Sequence, residues 1–193
     1  MKIAVVGASG MVGSRVVAEA VRRGHDVTGV SRGAGGDATD RELMDGVLSG
    51  VDSAVVATTG VTSTVVLDAA FATRTRVIVV GGAAPLRTPD GPGLVLDDER
   101  YVPAHIRPVA EASMRQLEEC RAHQAEWVYL SPPALLEPGD RTGSYRRGTD
   151  ELLTGPSAIS AEDLAVAVLD ELESPGADRH FTVASPGPGP AAG

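Results

Sequence analysis

The stretch from Lys2 to Arg32 constrains the fold of this chain more than any other part of the sequence. An apolar run from Ile3 to Val6 leads into a glycine-rich turn, a helical pattern then follows up to Gly24, and a second apolar alternation ends just before Arg32. The segment therefore predicts a strand, a turn, a helix and a second strand. Such a unit is typical of a parallel sheet covered by helices.

The turn contains Gly7, Gly10 and Gly13, and each glycine has a physical reason. Gly7 permits the sharp exit from the strand, Gly10 lets the backbone approach a pyrophosphate, and Gly13 lets the helix lie close to the sheet. The helix N-terminus offers free N–H groups to the phosphates, and Ser9 can add a hydroxyl donor. The spacing within one βαβ unit indicates a dinucleotide site; the alternative is a turn that binds no cofactor.

The residue at the end of the second strand selects between the two nicotinamide dinucleotides. A carboxylate there would bind the ribose 2′-hydroxyl of NAD, but this chain has Ser31 and Arg32. A hydroxyl and a guanidinium suit a 2′-phosphate, so the sequence favours NADP(H) over NAD(H). The alternative is that Arg32 is an ordinary solvated loop arginine.

The composition predicts one α/β domain. Of the 193 residues, 42% are hydrophobic but only 3% are aromatic, so the core is built mainly from Val, Leu, Ala and Ile, as in a parallel sheet between helices. We expect this domain to span residues 1–184 and to be followed by a disordered tail at 185–193. We expect a monomer or a homodimer.

Charge and hydropathy argue against several partners. The net charge of −9, without a block of basic residues, argues against nucleic acid and against an anionic membrane. No apolar run is long enough to span a bilayer and no signal peptide precedes the first strand, so we expect a cytoplasmic protein. We expect no metal site, because the histidines are scattered and the single cysteine, Cys120, falls in a helical pattern as a packed thiol.

The rest of the chain alternates predicted strands and helices. Thr39 or Asp40 is expected to cap a short helix that ends near Leu48. Further strands are predicted at 53–58, 76–80, 127–130 and 180–184, and further helices at 63–73, 108–123 and 161–173. The arginine-rich segment 137–148 is predicted to be a polar loop.

Four stretches, at 6–13, 79–83, 129–134 and 137–143, connect the chain to a known group of proteins. In these stretches the sequence resembles the atypical short-chain dehydrogenases/reductases, specifically NADH-flavin reductase-like proteins related to biliverdin reductase B and to NmrA-like proteins. The resemblance extends over roughly residues 2–184. It implies a single Rossmann-like domain, with a doubly wound parallel sheet flanked by helices, that binds a reduced nicotinamide cofactor and holds a small planar substrate such as a flavin over it.

The resemblance also implies positions for the cofactor. The phosphates and the adenosine ribose would contact Gly7, Ser9, Gly10, Met11, Val12 and Arg32. The adenine would contact Asp37 and Ala38. The nicotinamide ribose would lie along Ala57, Thr58 and Thr59. The nicotinamide would lie near Gly82, Ala83, Ser131, Pro132 and Pro133.

The chain departs from this family at two places. Only residues 33–36 separate Arg32 from Asp37, so the third strand is expected to be shortened or missing. The usual catalytic tyrosine and lysine are absent, since Lys2 is the only lysine. Tyr101 is followed four residues later by His105, and the intervening proline disfavours that pair on one helical face.

Three residues are candidate proton donors: His105, Tyr101 and Tyr145. His105 has a suitable pKa range for the role but fits a surface position equally well. Tyr145 lies among arginines that could form a lid over an anionic substrate such as a flavin phosphate; the alternative is a solvated arginine loop.

The residues leave three functions open. The first is an NADPH-dependent reductase of a small conjugated acceptor such as a flavin or a quinone, which needs little acid–base help because the cofactor performs the hydride transfer. The second is an NmrA-like sensor of NADP(H) without turnover. The third is a tailoring ketoreductase or epimerase of a biosynthetic pathway. The fold alone does not separate them.

Overall fold

Short apolar runs form the strands of the computed structural model, which describes residues 1–34, 36–58 and 64–186. The strands are β1 (Lys2–Val6), β2 (Asp26–Val30), β3 (Ser53–Val56), β4 (Arg76–Val80), β5 (Trp127–Ser131), β6 (Leu135–Glu137), β7 (Arg146–Gly148), β8 (Ala158–Ser160) and β9 (His180–Ala184). Seven of them form one sheet in the order β2-β1-β3-β4-β5-β9-β7, and β6 pairs with β8 separately. All pairs are parallel except that between β7 and β9.

The chain changes direction across the sheet after β2. β1 pairs with β2 on one side and with β3 on the other, so a crevice opens between the carboxyl ends of β1 and β3, where ligands bind in sheets of this kind. β2 lies at the edge, and the chain returns from it to β3 through a short helix without an outer strand among the described residues. The expected doubly wound sheet, with its third strand missing, is confirmed.

Among the residues that the structure describes, five helices cover the two faces of the sheet. They are α1 (Met11–Arg22), α2 (Arg41–Leu48), α3 (Thr64–Thr73), α4 (Arg107–Ala122) and α5 (Ala161–Glu173). One core holds residues of α1 and α5 against one face, and a second core holds residues of α2, α3 and α4 against the other. Because both faces are covered, the central strands β3 and β5 are buried at every position.

The predicted helix starts agree closely with the structure. The Asp40 side chain accepts from the Leu43 amide at 3.1 Å and caps α2. Ser160 accepts from the Asp163 amide at 3.0 Å and caps α5. Both side chains satisfy N–H groups that a helix leaves without an internal acceptor.

The segment 137–148 was predicted to be a loop, and this is wrong at both ends. Glu137 closes β6, and Arg146–Gly148 form β7, the antiparallel edge strand beside β9. A three-residue strand made of two arginines and a glycine has no apolar alternation, so its sequence gives no strand signal. It pairs because β9 offers an unpaired edge.

Two further features bear on the sequence predictions. Cys120 is fully buried, and burial raises the pKa of its thiol to about 12, as suits a packed thiol. In the tail, the Ser185 amide donates to the Ala158 carbonyl at 2.9 Å, while residues 187–193 lie outside the described residues.

None of the described helices has both the length and the apolar character needed to cross a membrane.

Candidate functional site

The glycine turn after β1 lies at the crevice, and sterics demand two of its glycines. Gly7 has a φ of +89°, and a Cβ atom there would meet the Ala57 carbonyl oxygen at 2.5 Å. A Cβ atom on Gly13 would overlap the Gly7 carbonyl. The Gly7 and Ala8 amides both donate to the Val30 carbonyl, at 2.9 and 3.1 Å. The turn is thereby fixed to β2, and α1 begins directly against the sheet.

The N-terminus of α1 leaves its amide groups open. Its N-cap residue is Gly10, which gives no side-chain cap, and its first turn has no acidic residue. The first N–H groups of a helix have no acceptor within the helix, and the helix dipole adds a partial positive charge. This end of α1 therefore suits a phosphate group.

A cleft of about 920 Å³ runs over this turn, past the carboxyl ends of β1, β2 and β3. Its volume is at the upper end of the range usual for ligand sites. The predicted cofactor residues that line it are Gly7, Ser9, Gly10, Met11, Val12, Arg32, Asp37, Ala38, Ala57 and Thr58. Gly13 lies beneath the turn instead of on the wall, and Thr59 lies outside the described residues.

Arg32 and Asp37 lie at the end of this cleft beside β2. The Asp37 carboxylate accepts from the Thr39 amide at 2.9 Å and from its hydroxyl at 2.8 Å. These bonds lower the pKa of Asp37, and the nearby Arg32 charge adds to the effect. Within the described part of the chain no carboxylate lies within 4.0 Å of the exposed Arg32 guanidinium, which can therefore pair with an anionic group of a ligand.

A second, smaller pocket of about 250 Å³ adjoins this cleft. The predicted nicotinamide residues Gly82, Ala83, Pro132 and Pro133 line it. The two cavities share four lining residues, which are Thr58, Val80, Gly81 and Leu136. A ligand in the long cleft can therefore contact a ligand in the small pocket.

Tyr129 supports the floor at this junction. A Cβ atom on Gly81 would overlap the Tyr129 hydroxyl, so only glycine allows the approach. The hydroxyl donates to the Ser113 carbonyl at 2.9 Å and accepts from the Gly82 amide. Burial raises the pKa of Tyr129 above its usual value. One phenol thus joins the Gly81–Gly82 loop to α4.

Ser131, predicted near the nicotinamide, is fully buried. It is not among the described lining residues of either cavity. Its Oγ lies 2.9 Å from His180 Nε2, and the His180 ring meets the Tyr129 ring edge to face at a centroid distance of 5.5 Å. Ser131 therefore lies behind the pocket wall, where it helps to hold the end of β5.

The pH dependence of stability should report on His180. Burial, with a smaller contribution from Arg121, lowers the pKa of His180 to about 4, against about 6.5 in an unfolded chain. Between these two pKa values the unfolded state binds more protons than the folded state. The burial of neutral His180 therefore contributes fully to stability above pH 6.5, and this contribution is lost as the pH falls towards 4. Allowing for solvent screening, we expect a loss of about 1 to 2 kcal/mol.

Urea unfolding of wild type and His180→Gln at pH 7 and pH 4.5 tests this expectation. The stability of His180→Gln should fall less over this interval than that of the wild type. His105→Gln, at an exposed histidine, is the control and should fall as much as the wild type. Equal losses in all three proteins would contradict the assignment.

The three candidate proton donors lie in different places. Tyr101 lines the small pocket. His105 is exposed and is not among the lining residues described for that pocket. Tyr145 donates from its hydroxyl to Asp170 at 2.8 Å on α5, and burial together with Asp170 raises its pKa. The structure thus brings only Tyr101 of the three to the pocket.

The arginines around Tyr145 bind the protein's own acidic groups. Arg141 donates through Nε and Nη2 to the buried Glu19 carboxylate of α1, at 2.8 and 3.0 Å. Arginine hydrogen bonds, first from Arg22 and then from Arg141, hold the pKa of Glu19 far below its usual range. Arg147 donates to the Glu171 carboxylate at 2.8 Å. These contacts fix the loop to α1 and α5 and do not form the anion-binding lid that the sequence suggested.

Several wall residues of the small pocket were not identified from the sequence. They are Val95, Val102, Ile106, Val109, Ala110, Ser113, Gln116 and Leu136. A third, small apolar core that includes Val95, Val102 and Leu152 holds this wall in place. Ile106 and Val109, at the start of α4, are apolar and yet exposed, which only the structure reveals.

The donor set of the long cleft fits a nicotinamide dinucleotide. The turn between Gly7 and Gly13 forms a cradle that side chains would fill, α1 presents open amides, and Arg32 provides one cation. Such a cofactor, when reduced, supplies a hydride. The described residues contain no group of three or more His, Cys, Asp or Glu side chains that could hold a metal ion.

Comparison with known proteins agrees with this geometry. The chain is 34% identical to YwnB of Bacillus subtilis, over 96% of this chain and 99% of that protein. A structure from Bacteroides thetaiotaomicron, whose name suggests an epimerase, is 31% identical with a TM-score of 0.86, over 95% of this chain and 96% of that one. SP1627 of Streptococcus pneumoniae, whose name suggests an NADH-flavin reductase, is 27% identical with a TM-score of 0.83, over 96% and 100%.

The family profile described as NAD(P)H-binding matches residues 7–175, which run from the glycine turn to the end of α5. This range contains every described wall residue of the small pocket and the open end of α1. The chain belongs to the NAD(P)H-binding family.

Proposed function

We propose that this chain is an NADPH-dependent reductase of a small conjugated acceptor such as a flavin or a quinone, acting by direct hydride transfer without a Tyr/Lys pair. The observation that supports this most is the meeting of the two cavities at Thr58 and Gly81. Direct transfer requires donor and acceptor in contact, and these cavities allow it. The S. pneumoniae relative whose name suggests an NADH-flavin reductase adds support.

Each part of the chain has a separate task in this proposal. The open amides of α1 and the Ser9 hydroxyl hold the pyrophosphate, and Arg32 holds the 2′-phosphate. The Gly81–Gly82 backbone, fixed by Tyr129, forms the floor on which the two ring systems meet. The apolar walls exclude water, and Tyr101, which lines the small pocket, is the candidate to donate a hydrogen bond or a proton to the acceptor.

The decay of NADPH absorbance with riboflavin, FMN and a simple quinone, each offered in turn and with NADH in parallel, tests the proposal. We expect turnover with at least one acceptor and a preference for NADPH. Tight NADPH binding without turnover of any acceptor would contradict the reductase and favour a sensor. Turnover of a pathway ketone alone would favour a tailoring enzyme.

Arg32→Glu should change the choice of cofactor. The guanidinium is the one basic group among the described wall residues of the cofactor cleft, and losing charged hydrogen bonds to a phosphate costs about tenfold to a hundredfold in affinity. We expect NADPH to bind correspondingly more weakly and NADH to bind equally well or better, as measured by isothermal titration calorimetry. Arg115→Glu makes the same charge change at an exposed position on α4 and should leave both affinities unchanged. Unchanged NADPH affinity in Arg32→Glu would refute the assignment.

A further inference from the structure

We infer that the acceptor is a compact, uncharged, apolar ring compound of the naphthoquinone size class, and that the small pocket rejects acceptors with a phosphate, sulfonate or carboxylate group. This inference rests on the proposed reductase function and makes its substrate class narrower. The inference predicts that the pocket accepts neutral quinones and enones and rejects flavin nucleotides and other anionic acceptors.

The described wall of the small pocket offers no positively charged partner to an anion. Among the described wall residues there is no Lys, Arg, His, Asp or Glu, and the polar side chains are those of Thr58, Tyr101, Ser113 and Gln116. Residues 59–63, which lie outside the described residues, contain no ionisable side chain either. An anion would therefore lose its hydration without gaining a counter-charge, which is strongly unfavourable.

Three arginines adjoin wall residues in sequence: Arg100 and Arg107 are engaged by carboxylates, and Arg115 is exposed on α4 and is not itself a wall residue. Arg100 donates to the Asp98 carboxylate at 2.6 Å, and Arg107 donates to the Glu111 carboxylate at 3.2 Å. Neither guanidinium supplies a free positive charge to the entrance. The net charge of −9 opposes the approach of an anion from a distance as well.

The entrance is apolar and exposed. Ile106 and Val109 line the pocket yet remain 38% and 55% exposed. Two large apolar side chains left in water on the wall of one cavity are typical of a surface that an apolar ligand covers.

The volume of the small pocket limits the size of the acceptor. Its volume of about 250 Å³ lies just below the range of about 300–1,000 Å³ usual for drug-sized ligands. One or two fused rings fit this space. A ribityl phosphate chain would have to remain outside, next to the apolar entrance.

Reduction of such an acceptor needs no charged group in the pocket. The quinone takes up the hydride that the reduced cofactor supplies and one proton from water, and it leaves as the neutral hydroquinone while the cofactor is left oxidised. Tyr101, a wall residue of the pocket, is the candidate donor of a hydrogen bond to the carbonyl oxygen on which negative charge develops. Substrate and product are both uncharged, as the wall requires.

Binding of 1,4-naphthoquinone and of its 2-sulfonate to the chain saturated with NADP⁺ tests the inference, because no reduction occurs in that complex. We expect calorimetry to show at least about tenfold tighter binding of the neutral compound. Val109→Arg places a cation at the entrance and should reduce the ratio to less than about threefold by tightening binding of the sulfonate. Val21→Arg, at a valine of similar exposure at the far end of α1 (59% against 55%), is the matched control and should keep the wild-type ratio.

Equal affinity for the two compounds in the wild type would overturn the inference, and so would an equal response of the ratio to Val109→Arg and Val21→Arg. Melting temperatures establish that both variants are folded. The proposed function fails separately. A preference for the neutral compound without NADPH oxidation would contradict the reductase and retain the pocket's selectivity, whereas equal turnover of both compounds would retain the reductase and refute the selectivity.

Discussion

Gly13→Ala is expected to lower NADPH affinity by a factor on the order of a hundred or more. The added Cβ would overlap the Gly7 carbonyl, so either α1 moves away from the sheet or the turn changes shape. Both displacements move the open amides of α1 away from the phosphates they would bind. Overpacking of this kind also costs about 1 to 3 kcal/mol in stability, which urea unfolding measures alongside calorimetry with NADPH.

Gly46→Ala is the control for this variant. Gly46 also lies inside a helix, α2, but nothing lies within 4 Å of the position its Cβ would take. Alanine there should stabilise the protein by about 0.5 to 1 kcal/mol and leave NADPH affinity unchanged. The packing explanation would be refuted by a Gly13→Ala protein that unfolds and binds NADPH as the wild type does.

The part of the site that the sequence predicted is the part built from local structure. The residues between β1 and the end of β2 are contiguous, and glycine spacing, helix start and strand end are all short-range patterns. Arg32 follows the end of β2 after one residue, so its place beside the cleft depends on one strand and one turn. The missing third strand could be predicted for the same reason, since residues 33–36 are too few to form it.

The acceptor pocket could not be predicted in this way because its wall is assembled from distant segments. Val95, Val109, Pro133 and Gly81 come together only after β4, β5 and α4 have packed. The segment 81–106 between β4 and α4, all of which the structure describes, has no helix or strand apart from one 3-10 turn at Val95–Asp97. Its sequence therefore shows no hydrophobic periodicity that would identify the side chains pointing inward. The role of Tyr129 could not be predicted for a similar reason. The sequence of a strand that is buried on both faces does not show towards which face each side chain points.

Arg141 and Arg147 show the opposite difficulty. Their sequence context, a polar loop with three arginines, is equally compatible with binding a ligand and with binding the protein itself. Their partners, Glu19 and Glu171, lie in helices far away in sequence and are almost completely buried. Each of these loop arginines therefore pairs with a carboxylate whose burial is visible only in the tertiary structure.

Glu171→Gln is expected to destabilise the protein by about 3 to 5 kcal/mol, because it removes the buried carboxylate of the network and leaves Arg76 and Arg147 with only exposed carboxylate partners. The Glu171 carboxylate is 0% exposed and accepts from Arg76 at 2.7 Å and from Arg147 at 2.8 Å. It also accepts from the Gly176 amide at 3.1 Å. Glutamine keeps the volume of the side chain but removes its charge. A loss of this size is a large fraction of the stability of a single domain, which is about 5 to 15 kcal/mol.

Glu126→Gln separates burial from the mere presence of an ion pair, since Glu126 pairs with the same arginine. Its carboxylate lies 3.5 Å from Arg76 Nε and is 69% exposed, so its loss should change stability by less than about 1 kcal/mol. Arg76 opens β4 at the amino end of the sheet, away from both cavities, so NADPH affinity of the folded protein should be the same in both variants. Urea unfolding that shows equal, small effects for Glu171→Gln and Glu126→Gln would show that the buried network around Glu171 contributes no more than a surface ion pair.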